Sequence, residues 1–341
     1  MNTSCMLKVI ETHTAGNPTR HIVSGVPRIS GETMGEKMQY VMDHLDWVRR
    51  VTMMEPRGRN GMSGCIYTEP CNPEADMGIV YFDAAGYLTM CGHSTIAIST
   101  VLVETGIVRM TEPVTTVKLD TPAGLIVAKV FVKDGQVEKV TFRNIPAFLY
   151  DAREIDIGAL GKVRVEVDYG GVAYAVVNAK DIGIEEISPK NLREIVEKAH
   201  LVYAAASREI GFQHPEKAFI NRITSVMIVG DPDIQGADNK EVVVIMPLTE
   251  GDTTAVDRSP CGTGTSARVG SLFVQGKLKE NTPFVHESII GTCFTAEIVG
   301  KAKVGDFPAG IPEITGSAYF TASTDFFIDP RDPLKNGFSM D

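Results

Sequence analysis

The strongest constraint on this chain is a short motif that occurs twice, half a chain apart. "CGHSTIA" at 91–97 aligns with "CGTGTSA" at 261–267, and Cys, Gly, Thr and Ala coincide at four of seven positions. The two cysteines are 170 residues apart (261 minus 91) in a chain of 341. Each follows a strand-like run with an acidic residue, "GIVYFDAAGYLTM" and "VVVIMPLTEGDTTAVDRSP". Each precedes a helical stretch that runs to a glycine, Gly106 or Gly276, where a helix C-terminus is expected. Matched signals at matched points of two halves predict two similar domains related by a pseudo-twofold axis.

The intervening sequence reads mostly as strands. "KVIETHT", "CIYTEP", "MGIVYFDAAGYL" and "AGLIVAKVFV" are short and rich in Val, Ile, Tyr and Phe. Asp134-Gly135 joins 127–132 to 137–142 as a hairpin. Helical spacing appears in 31–50, through Met34, Met38, Met42, Leu45 and Val48. It appears again after Ser188, a candidate N-cap, with Pro189 at the first helical position. Strand-rich blocks separated by few helices predict an α+β fold, not an alternating parallel sheet. The expected domains are 1–125, carrying Cys91 and rejoined by a C-terminal tail at about 320–341, and 126–319, carrying Cys261.

A net charge of −10 and the lack of a basic block interleaved with aromatics argue against nucleic acid or an anionic membrane as partner. No run approaches eighteen apolar residues, and the N-terminus lacks a signal peptide's pattern. Six scattered cysteines suit reduced thiols in a cytoplasm better than a disulfide framework, and no C-x-x-C pair suggests a metal. The six histidines other than His93 show no ligand spacing among themselves, and "GTGTSARVG" lacks the phosphate-loop pattern.

A cysteine at a helix start meets unpaired N–H groups and a partial positive charge, which favour the thiolate. The glycine after it lets backbone approach a ligand, and the same N–H groups suit a carboxylate. Two such turns face to face would place a thiolate base on one side of a carbon and a thiol acid on the other, as inversion of a stereocentre requires. That chemistry demands no metal or cofactor. The competing reading is that both cysteines are buried core, where Cys is common, and this is the reading adopted for Cys5, Cys65, Cys71 and Cys293. His93 then bonds backbone, and Asp257 serves a turn. The Met-rich stretch 34–54 is read as core or subunit interface.

"MCGH" with its apolar helix, and "DRSPCGTGTSA" at 257–267, resemble the two signatures of the proline racemase family. "ETHTAGNPTRHIVSGVP", "EPRGRNGM", "ADMGIVYFDAAGY", "LDTPAGL" and "DPLKNGF" resemble its other segments in order. The resemblance implies a diaminopimelate epimerase-like fold, two curled mixed sheets each around a central helix. It implies that Cys91 and Cys261 are the acid/base pair. Gly92, His93, Gly262 and Thr263 would surround the substrate carboxylate, and Asp257 would face the ring nitrogen. It implies a cofactor-independent isomerase for proline or 4-hydroxyproline, with a second copy of the chain as a candidate partner. The family's dehydratases of trans-3-hydroxyproline resemble "DRSPTG", with threonine where this chain has Cys261, so inversion is expected over dehydration. A non-catalytic binding protein on the same fold is the remaining alternative.

Four places depart from the proline-specific pattern. Ser63 stands where a Phe is expected, Ser225 where a Cys is, and Asn17 where a Glu is common, and the loop 248–256 differs. A roomier, more polar pocket follows if both serines line it, which tilts the expected substrate from proline towards 4-hydroxyproline.

Overall fold

A computed structural model describes residues 5–247 and 254–339. The chain divides into two compact units. Unit 1 comprises residues 1–142, 247–255 and 317–341, and unit 2 comprises 143–246 and 256–316.

Unit 1 opens with β1 (Cys5–Thr14) and β2 (Asn17–Ser24), followed by α1 (Met34–His44) and α2 (Asp46–Met53). Then come β3 (Ser63–Thr68), β4 (Met77–Asp83), β5 (Gly86–Leu88) and α3 (Gly92–Glu104). β6 (Val114–Thr121), β7 (Gly124–Lys133) and β8 (Gln136–Arg143) complete its first stretch. Unit 2 has β9 (Phe148–Asp156), β10 (Lys162–Tyr169), β11 (Ala173–Asn178), α4 (Leu192–Glu209), β12 (Ser225–Gly230) and β13 (Asn239–Ile245). It continues through β14 (Ala255–Val256), which straddles the cut, to α5 (Gly262–Val274), β15 (Phe284–Ser288), β16 (Cys293–Val304) and β17 (Phe307–Gly316). β18 (Ala318–Ile328) belongs to unit 1.

The first cut falls after Phe142 rather than at 125, because β7 runs through that position paired with β6 along its length. Asp134 and Gly135 supply the turn into β8, both with positive φ, so the hairpin stays whole.

The two units repeat one pairing scheme. In unit 1, β18 and β1, then β1 and β2, are antiparallel, β2 and β3 parallel, β3 and β4 antiparallel, β4 and β6 parallel, and β6 and β7 antiparallel. In unit 2, β9, β10 and β11 are antiparallel neighbours, β11 and β12 parallel, β12 and β13 antiparallel, β13 and β15 parallel, and β15, β16 and β17 antiparallel. The repeat reaches individual hydrogen bonds. Asp76 N–H donates to Lys118 O and its Oδ2 accepts from Lys118 N–H, at 2.8 and 2.7 Å. Asp238 and Val285 make the same pair at the same distances. Asp120 Oδ2 accepts from the N–H groups of Cys71 and Asn72, and Glu287 Oε2 from those of Asp233 and Ile234.

Each unit curls its sheet around one helix. α3 is buried from Gly92 to Val103 and packs on β1, β2, β3, β7 and β18. α5 packs on β9, β10, β11, β16 and β17. This is the expected α+β architecture. Both helices end as expected, with Gly106 (φ 75) and Gly276 (φ 73) one residue past the C-cap.

The remaining helices cover outer faces. The stretch 31–50 forms two helices, because Leu45 (φ −129) breaks the turn. Its inward side is Met34, Lys37, Val41, Leu45 and Val48, with Met38 and Met42 only half-buried. It packs into the core of unit 1 with Val9, Ile22 and Val80. Ser188 caps a short 3-10 turn, accepting from Lys190 N–H with Pro189 behind it, and α4 continues from there.

Candidate active site

In unit 1, Cys91 is the N-cap of α3, with extended backbone (φ −138). Its carbonyl accepts from Thr95 N–H and Thr95 Oγ1, and Tyr81 OH holds that threonine at 2.9 Å. The buried sulfur lies 3.2 Å from Ser94 Oγ and 3.5 Å from His93 Nδ1. Asn17 Nδ2 is 2.9 Å from His93 Nε2. An amide N–H only donates, so Nε2 accepts, and the ring proton sits on Nδ1 facing the sulfur. Thr14 Oγ1 donates to His93 O at 2.9 Å and fixes the turn from β1. Asn17 Nδ2 also reaches Ser63 Oγ at 3.4 Å. The structure thus gathers Cys91, Gly92, His93 and Ser63 around the start of α3.

In unit 2, Cys261 opens α5 with φ 48, a region that costs a residue with a Cβ. Asp257 Oδ1 accepts from both N–H and Oγ of Ser259 at 2.8 Å, and Ser259 Oγ accepts from Cys261 N–H at 3.3 Å. Asp257 therefore does form the turn that the competing reading gave it, and through that turn it sets the cysteine. The Cys261 sulfur lies 3.5 Å from Tyr174 OH and 3.7 Å from Thr263 Oγ1, which are 2.5 Å from each other. Thr265 Oγ1 donates to Pro260 O and takes the Nδ1 proton of His286 at 2.9 Å. Burial, then Asp257 and Glu241, push the Cys261 thiol well up, while Tyr174 OH and Gly264 N–H pull it back. The resting Cys261 is therefore the protonated thiol. Gly262 and Thr263 occupy the first turn of α5 beside it.

Ser63 and Ser225 are matched residues, each buried and first in its strand, paired with Thr19 of β2 and Tyr174 of β11 respectively. Of the loop 248–256, residues 248–253 lie outside the described residues.

The other cysteines need correction. All six are free, but only Cys65 among the four read as core is buried. Cys5 and Cys71 are half-buried, and Cys293 sits on an outward position of β16 and is exposed. "GTGTSARVG" is the body of α5, not a loop. Among the described residues no group of His, Cys, Asp and Glu is placed to hold a metal, and no helix is long and apolar enough to cross a membrane.

Sequence reasoning missed Ser94, Tyr174, Ser259 and Glu241, and saw Asn17 only as a departure. Ser94 was within reach, because three residues past an N-cap is where a helix side chain returns to it. Tyr174 and Glu241 come from strands whose register sequence does not reveal.

The sequence pattern of the family described as Proline racemase matches residues 9–339. A proline racemase of Clostridioides difficile is 44% identical over 341 residues, covering all of both chains. A 4-hydroxyproline 2-epimerase of Streptosporangium roseum is 40% identical over 341 residues, again covering both fully. The crystal structure of a hydroxyproline epimerase from Agrobacterium vitis, with bound trans-4-OH-L-proline, superposes with a TM-score of 0.91 at 31% identity. It covers 100% of this chain and 96% of that one.

Proposed function

This chain belongs to the proline racemase family, and from that premise we propose that it inverts the α-carbon of 4-hydroxyproline, with proline as the second substrate, through Cys91 and Cys261. One observation carries the proposal: both matched helix starts hold a buried sulfur among hydroxyl and ring or backbone N–H groups. Beside Cys91, the thiol donates to Ser94 Oγ at 3.2 Å and the His93 ring lies at 3.5 Å. Beside Cys261, burial and carboxyls keep the proton on sulfur.

The Cα–H bond breaks and its proton passes to the Cys91 sulfur. The electron pair left on Cα spreads into the substrate carboxylate, which helix-start N–H groups stabilise. The Cys261 S–H bond breaks and its proton reaches the opposite face of Cα, leaving a thiolate there. The reverse direction exchanges the roles. Asp257 takes the ring ammonium as a charged hydrogen-bond acceptor. The lean to 4-hydroxyproline rests on Ser63 and Ser225, small and polar at matched positions.

The test is exchange in deuterium oxide against trans-4-hydroxy-L-proline and L-proline, for the parent protein and for Cys91→Ser and Cys261→Ser. Deuterium is expected at Cα of the inverted product, with turnover abolished in both variants. Full turnover in either variant would sink the two-thiol reading, and faster inversion of proline would reverse the substrate order. The setting we propose is the cytoplasm, where free thiols stay reduced. A second copy of the chain is the partner we propose, and a sedimentation run yielding only a 37.0 kDa species would remove it.

A further inference from the structure

β4 and β13 are matched seven-residue strands, and the third residue of each is fully buried. In β4 that residue is Ile79, as a core strand requires; in β13 it is Glu241. A buried carboxyl without a partner is costly, and its retention calls for a reason. Neither oxygen of Glu241 has a hydrogen-bond partner.

Side chains alternate along a strand, so Glu241 shares a face with Val243, which packs beside Cys261. The Val243 carbonyl accepts from Asp257 N–H at 3.0 Å, which brings the segment carrying Asp257 alongside. Glu241 pairs with Val229 on β12 and with Ser288 on β15, neither of which titrates. The titratable groups that face it are Asp257, Cys261 at the start of α5, and Tyr174 of β11. No cation acts on Glu241 or Cys261 among the described residues.

Two carboxyls and a thiol in one uncompensated cluster cannot all be charged. Asp257 has two donors from Ser259 and is the natural anion; Glu241 has none. We propose that Glu241 is a positioning residue that keeps a proton behind Asp257, so that the pair carries one negative charge beside Cys261. Burial and Asp257 both push Glu241 well above the usual carboxylate range, in accord with that charge state. Unit 1 carries the apolar Ile79 at the matched position. The inference rests on the proposed reaction only for the task it gives Cys261.

The experiment reads the sulfurs directly. The intact protein is alkylated with iodoacetamide across a pH series, and Cys91 and Cys261 are quantified separately by mass spectrometry. While Glu241 holds its proton, Asp257 supplies the one negative charge that delays ionisation of Cys261. Asp257→Asn removes that charge, and the pH of half-alkylation of Cys261 is expected to fall by about one unit or more, the size that marks interacting sites, with the Cys91 profile unmoved. Glu241→Gln keeps the shape of the protonated carboxyl and is expected to leave the Cys261 profile where the parent has it. A fall in Glu241→Gln as large as that in Asp257→Asn would show Glu241 to be charged and would overturn the proposal, as would an unmoved Cys261 profile in Asp257→Asn. Because no turnover is needed, this outcome is independent of the deuterium experiment.

Discussion

Single buried groups set how this protein responds to pH. His21 and His286 are both fully buried, and burial pushes each down to about 3, helped by His93 for the first and Arg268 for the second. The unfolded chain takes up a proton at each near 6.5, the folded one only near 3, so acid draws the equilibrium towards unfolding. Stability from this source is complete above about 6.5 and is lost as pH falls towards 3. Asp168 acts in the opposite direction. It is fully buried, and desolvation followed by Glu166 raises it well above its ordinary value. Its contribution is complete below the ordinary carboxylate range and is lost as pH rises. Asp168→Asn removes that loss. In urea titrations the variant should gain stability over the parent on going from pH 4 to pH 8; a constant difference at the two pH values would show that Asp168 is charged in the native state. None of this was legible in sequence, where a histidine on a strand carries no mark of its burial. The cysteines were legible because the glycine after each, and the repetition, mark a helix start.

Elements explain which motifs could be read and which could not. The starts and stops of α3 and α5 depend on local chemistry: a cysteine cap whose carbonyl takes the N–H of a threonine four residues on, and a glycine past the end. Strand register depends on partners far along the chain, so Tyr174 opposite Ser225 and Glu241 opposite Ser288 had no local signal. The methionine spacing in 31–50 mistook a broken pair of helices for one, since helical periodicity survives a single non-helical residue. Helix packing against the sheet leaves its own prediction. An added Cβ on Gly270 of α5 would lie 2.6 Å from Ala147 Cβ and 2.8 Å from its carbonyl. The backbone of Ala147 is itself locked to Gly310 of β17 in both directions, so it has little room to yield. Gly270→Ala should therefore destabilise unit 2 by about 1–3 kcal/mol, the usual range for an overfilled core. Gly276→Ala, at φ 73 with open space around it, gives a comparison in which only backbone strain is added. Denaturant midpoints decide it: equal or smaller loss at 270 would mean that α5 does not sit this close.

At the scale of the whole chain, the duplication is complete in unit 2 and spliced in unit 1. Unit 2 lays β9 beside β10 and builds onward in sequence order. The matching place beside β1 is filled by β18, from the other end of the chain. Ten residues of β1 pair with β18, from Cys5 with Ile328 to Thr14 with Ala318. Ile328 joins the core with Leu7, Val9 and Val48, and α3 packs on β18. The helix that carries Cys91 thus leans on a strand from far along the chain. Removing residues 317–341 strips that strand while leaving every residue of unit 2 in place. The truncated chain should lose the near-ultraviolet signal and amide protection of unit 1, with Cys91 alkylated as fast as an unfolded thiol, while amides of β10 to β13 stay protected. Retained slow exchange in β1 and α3 would show that unit 1 folds without its closing strand, and that β18 is an addition to a finished sheet.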